Sequence, residues 1–173
     1  YAIPFAALWT SRSHAAYPVV VNFAGTETLQ LQVTDQTGTV RNLNIAFGAL
    51  ALTHAQGDNE AAFLSALGTH VTNAIRAAET AAGSPVVIQN VTFRRIRDNN
   101  DDTQFGRLQG QIRVAAAGGA SQKGRVTLTP PGVVPAALAA IGFNGAGSRS
   151  GVLGSAAQIG SYLSECVHAA RFD

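Results

Sequence analysis

The chain has 173 residues, enough for one domain or one domain with arms, and a chain of this size buries about 70% of its unfolded surface without needing staples. Charged residues make up 13% of it, against roughly 25% in a typical soluble domain, and Lys123 is its one lysine, while the apolar fraction of 46% is ordinary. A surface poor in Lys and Glu and furnished with Arg, amides and small residues has the composition of a protein interface, because burying an ammonium costs desolvation and side-chain entropy; a subunit of a larger assembly is expected.

Residues 1 to 18 carry Tyr1, Phe5, Trp9 and Tyr17 among small residues, with Pro4 and Pro18 and no sustained period, and read as an extended N-terminal arm. Its aromatics pack either on a neighbouring subunit or on their own domain. Val19 to Phe23 is a short apolar run, and Leu29, Leu31 and Val33 then alternate with Gln30, Gln32 and Thr34, the mark of a half-buried strand. Asp35 to Gly38 has the Asp-first, Gly-last order of a type I turn. Leu43, Ile45 and Phe47 continue the alternation as the second strand of a hairpin, and Val40, one residue out of phase, predicts a bulge near Arg41.

Asp58 is the expected N-cap of a helix of about six turns, with Glu60 in its first turn and Phe63, Leu67, Val71, Ala74, Ile75 and Ala78 along one face. Gly83, Ser84 and Pro85 end it. Val86 to Arg97 reads as a strand covered on both sides, with Val87, Val91 and Phe93 on one face and Ile88 and Ile96 on the other. Leu108, Ile112 and Val114 mark another strand, Val126 and Leu128 a third, and Pro130 with Pro131 stops the sheet. Pro135 opens a short helix through Ile141, closed by Gly142. Residues 144 to 154 form a Gly and Ser loop, and a C-terminal helix over 155 to 173 aligns Ile159, Leu163, Val167 and Ala170. The predicted fold class is α+β, an antiparallel sheet or sandwich packed by the long helix, with a body over 19 to 154.

From residue 26 to 147, the Leu29 to Phe47 hairpin, the Ala-rich helix from Glu60 to Ile75, the following strands and the Ala139-Ala-Ile-Gly-Phe-Asn-Gly145 stretch together resemble a small module of tailed-bacteriophage virion proteins, found in tail, baseplate, fibre-attachment and capsid-associated proteins. In that module a helix lies across the hairpin and a late Leu-Gly-Phe element plugs the sheet; the matching residues here are Ile141, Gly142 and Phe143. The sequence departs from it in having Ile for Leu and a basic strand at Arg94, Arg95 and Arg97. The resemblance implies a structural role in a virion, with copies of the chain and other virion proteins as partners and no catalytic residue to carry over. The same order of elements occurs in filamentous bacterial surface and flagellar proteins, which leaves a secreted filament or surface module as an alternative.

Arg94, Arg95, Arg97, Arg107, Arg113, Lys123 and Arg125 fall on neighbouring predicted strands and suggest one basic patch. Its partner is either nucleic acid, bound by phosphate contact, or a neighbouring subunit's Asp98, Asp101 and Asp102. The interleaved aromatics of a stacking platform are missing, and a net charge of +2 does not itself imply a polyanion. Phe5, Trp9, Tyr17, Phe143 and Arg149 are the expected subunit-interface residues, Phe5 and Trp9 its anchors. The Asp98 to Asp102 run departs from calcium-loop spacing and reads as a solvated turn. His14, His54, His70 and His168 are scattered, His54 in a loop, and no Cys or His pair has zinc spacing. Gly147-Ser-Arg-Ser-Gly151 places Arg149 where a nucleophile elbow needs Ser, and Gly118 to Gly124 lacks the order of a phosphate-binding loop. No enzyme, cofactor, metal or small-molecule substrate is expected. Cys166 is alone, so an internal disulfide is excluded and a buried free thiol is expected. No apolar run reaches the ~18 residues of a membrane span, no secretory signal is seen, and the start at Tyr1 with no methionine points to a removed initiator, processing or trimming.

Overall fold

The computed structural model describes residues 5–11, 13–35, 38–83, 88–114, 124–144 and 147–150. In chain order these form β1 (Phe5–Thr10), β2 (Ala15–Ala16), β3 (Val19–Phe23), β4 (Thr28–Thr34), β5 (Val40–Ala46), β6 (Leu50–His54), α1 (Glu60–Ala81), β7 (Ile88–Ile96), β8 (Gln104–Val114), β9 (Arg125–Thr129), α2 (Ala136–Ala140) and β10 (Gly147–Ser150). Among the described residues all strand pairs are antiparallel and there are one main helix and one short one, so the fold is broadly α+β. One sheet is built around β8, which pairs with β1, β2 and β7; the second runs β10-β9-β4-β5; β3 and β6 pair separately.

The β4–β5 hairpin follows its alternation: Leu29 faces Ile45 and Leu31 faces Leu43, all four buried. At the turn Asp35 accepts from the Gly38 backbone N–H at 3.0 Å and, through its carboxylate, from that of Thr39 at 3.0 Å. The bulge expected near Arg41 is absent, because the pairing runs unbroken from Thr28–Ala46 to Thr34–Val40. Arg41 itself takes the inward phase opposite Val33, where Asp35 neutralises it at 2.8 Å, and this leaves Val40 outside at 52% exposure.

Helix α1 is capped one residue later than expected. Asn59 Oδ1 accepts from the Ala62 N–H at 3.1 Å, whereas Asp58 folds back to accept from Ala55. Phe63, Leu67, Val71, Ile75 and Ala78 are buried as the 3.6-residue period requires. The flank carrying Gly68 and Thr72 lies against β7. The Thr72 hydroxyl accepts from the Val91 N–H at 2.9 Å and donates to the Val91 carbonyl at 3.1 Å, closing that strand's outer edge. A Cβ on Gly68 would stand 3.0 Å from the same carbonyl.

The two-sided burial expected of β7 resolves into a one-residue register shift between Ile88 and Asn90, which brings Ile88 into phase with Val91 and Phe93 on the core side. Ile96 stays half-buried on the opposite phase, and Val87 lies outside the described residues. On β8, Leu108, Ile112 and Val114 are buried, and Gly110 sits where a Cβ would meet Phe93 at 2.9 Å and Phe143 at 3.2 Å. After α2, Gly142 at φ +92° turns the chain so that Ile141 and Phe143 both enter the core.

Residues 5–10 are not an arm. β1 pairs with β8 from Phe5–Val114 to Thr10–Gln109, and Ala7 and Trp9 are buried. The predicted 144–154 loop contains β10, which pairs with β9, and His54 belongs to β6 rather than a loop. Residues 1–4, 145–146 and 151–154, with the predicted helix at 155–173, lie outside the described residues.

Candidate interaction surfaces

The basic residues expected to form one patch are dispersed by the fold. Arg95 turns inward: its guanidinium donates to Glu60 at 2.9 Å and to the carbonyls of Phe105 and Gln104, and it lies 4.8 Å from the Phe105 ring centroid and 5.8 Å from that of Tyr17. Arg97 pairs with Asp102, and Arg107 with Asp98. Asp98 also accepts from His14 Nε2. The carboxylates expected to answer a neighbour's arginines are therefore engaged within the chain. The His14 hydrogen bond first, and then Arg107, hold the Asp98 carboxyl below its usual value. Asp101 accepts from the Thr103 backbone and hydroxyl, which lowers its carboxyl likewise and fits the turn reading. Arg125 belongs to the other sheet, opposite Thr34, and Lys123 lies outside the described residues.

What remains is the outer face of β1–β8–β7. Arg94 Nε donates to Gln109 Oε1 at 2.7 Å, and Gln109 Nε2 donates to Thr10 Oγ1 at 3.0 Å, a polar ladder across three strands. Arg107 and Arg113 share this side of β8 with Gln109, since alternate residues of a strand face one way.

The expected interface aromatics are differently employed. Trp9 is 3% exposed and meets Phe143 edge-on at 6.0 Å, and Phe143 is itself fully buried, so both belong to the chain's own core. Tyr17 is half-buried against Phe105 and His54. Phe5 opens β1 opposite Val114 and Arg149 lies on β10 opposite Val126; the side chains of both lie outside the described residues.

Three further titratable groups, His54, His70 and Glu27, are built into the fold. His54 is buried and stacked on Phe63 at 5.0 Å, and His70 packs on Phe23 at 4.8 Å. Burial pushes the Glu27 carboxyl up, but backbone N–H groups, led by that of Ala24, outweigh it and leave the carboxyl below its usual value. A cavity of about 350 Å³ between Ser11, His14, Val19 and Ala139 is walled mainly by small side chains, and Ser11 Oγ within it accepts from the Leu108 N–H at 3.1 Å. Among the described residues no group of His, Cys, Asp and Glu is gathered to hold a metal ion, and no helix is long and apolar enough to cross a membrane.

A second surface escaped the sequence reading. On the outer face of β9–β4–β5, Gln30 stands between Asn44 and Thr129, and Gln32 between Asn42 and Thr127, lining a shallow groove of about 300 Å³. Gln32 Nε2 donates to Asn42 Oδ1 at 3.0 Å. Its signal, Gln-x-Gln, Asn-x-Asn and Thr-x-Thr, was present in three separate segments, but only the strand order makes them one surface.

These features define an α+β protein with two exposed sheet faces, one of amides and hydroxyls and one with arginines added. No family model matches the chain, and neither a curated protein nor a solved structure matches it.

Proposed function

We propose that the chain is a structural subunit that acts by self-assembly, and that its setting is a tailed-phage particle, in tail or capsid, with copies of itself and other virion proteins as partners. The supporting observation is the thinness of its ionised surface. Charged residues are already scarce, and Asp35, Glu60, Asp98 and Asp102 are each paired with an arginine of the same chain. Each such pair leaves fewer ionised groups to keep copies apart or to be desolvated on contact. Sedimentation and electron microscopy of the purified chain over rising concentration test the proposal: rings, tubes or shells support it, and a lone monomer at millimolar concentration refutes it.

A second reading, a nucleic-acid-binding subunit, draws on Arg94 and Arg113 sharing one sheet face with Arg107, which is itself paired with Asp98. Salt titration separates the two, because phosphate contacts release counterions and binding then weakens steeply with salt. No binding at low salt removes this reading.

A further inference from the structure

We infer that the amide and hydroxyl face of β9–β4–β5 docks on the same face of a second copy of this chain. The inference rests on the assembly reading and assigns it a surface. Of the two exposed sheet faces, the one bearing Arg94 and Arg113, beside an Arg107 already paired with Asp98, would oppose like charges if it met its own copy, which disfavours contact. On the other face the exposed side chains of Gln30, Gln32, Asn42 and Asn44 are uncharged. Each primary amide carries both a donor and an acceptor, so the amides of this face are complementary to themselves about a two-fold axis and carry no charge of their own to desolvate. Arg125, at one end of β9, is the one ionised side chain on this face among the described residues of β4, β5 and β9.

The extent of the face sets the strength. With strands about 4.8 Å apart and a rise of about 3.4 Å per residue, these three strands offer roughly 300 Å² per copy. A standard interface buries about 800 Å² per partner. One such contact is therefore weak and concentration-dependent, and becomes firm when repeated by symmetry.

The test uses charge swapping at Gln30 and Asn44, which are cross-strand neighbours at the groove. A Gln30→Lys, Asn44→Lys variant and a Gln30→Glu, Asn44→Glu variant are each expected to self-associate at least tenfold more weakly than the unaltered chain in sedimentation equilibrium, and their equimolar mixture to regain association. A Thr92→Lys, Gln111→Lys variant on the opposite sheet face should associate as the unaltered chain does. Circular dichroism checks that each variant is folded. As an independent readout, Asn44→Cys in a Cys166→Ser background should form a disulfide-linked dimer under mild oxidation. If the lysine variant associates like the unaltered chain, or the mixture stays apart, the face assignment is wrong while assembly stands. If the unaltered chain never associates, both are wrong.

Discussion

Thr72 is the point at which the helix is fastened to the sheet, and Thr72→Val tests that fastening with almost no change of shape. Valine keeps the branch and the volume but removes the hydroxyl that accepts from the Val91 N–H and donates to its carbonyl. Each bond contributes about 1 kcal/mol net, and a stranded, partly buried backbone group costs about 1–3 kcal/mol. Because the site is only part-buried and water can reach some of it, the expected loss is about 2 kcal/mol. For a chain of this length that corresponds to a fall in Tm of about 4–8 °C. Urea unfolding should move its midpoint at constant m-value, and hydrogen exchange should report faster exchange of the Val91 amide. Thr72→Ser, which keeps the hydroxyl, should recover most of the loss. A Thr72→Val loss below about 0.5 kcal/mol, or a Thr72→Ser variant no better than it, would refute the reasoning.

Trp9→Ala should cost about 3–5 kcal/mol of monomer stability, because the ring fills the chain's own core beside Phe143; unchanged stability with lost association would restore it to an interface. Gly110→Ala sets a Cβ 2.9 Å from Phe93 and 3.2 Å from Phe143 and should cost about 1–3 kcal/mol by overpacking, read as a lower denaturation midpoint. Asp98, with its folded pKa below the unfolded one, adds stability above the ordinary value of 3.8 that is lost as pH falls through the folded value. Asp98→Asn should therefore be less stable than the unaltered chain at neutral pH, with the gap closing in acid below 3.8, as thermal melts across pH would record.

The hairpin and the long helix were legible because each satisfies its own period: Leu29, Leu31, Leu43 and Ile45 at two, Phe63, Leu67, Val71 and Ile75 at 3.6. β1 was missed although Ala7 and Trp9 alternate with Leu8 and Thr10, because alanine marks neither face and the leucine falls on the outer one. β6 was missed because its buried end is His54, a residue read as polar until Phe63 is seen stacked on it. The phase of β7 was misread because a bulge moves Ile88 onto the opposite phase, and nothing local marks it. The basic residues misled for a different reason: a linear cluster says nothing of which members turn inward, as Arg95 does, or find an acid nearby, as Arg97 and Arg107 do. The interface aromatics failed likewise, since Trp9 and Phe143 are far apart in sequence and meet only when β1 joins β8.

The union of β1 with β8 has a consequence for how the chain is made. Ser11 and Leu108, which bond each other where the two strands meet, are 97 positions apart. At about 5–20 residues per second, a ribosome leaves the first strand waiting roughly 5–20 s for its mate to be polymerised. The β4–β5 hairpin closes in about 1–10 μs once emerged. Trp9, whose ring packs on Phe143, thus waits without its core partners until residues made long after it are polymerised, and nascent-chain capture by a holdase in that interval should depend on it.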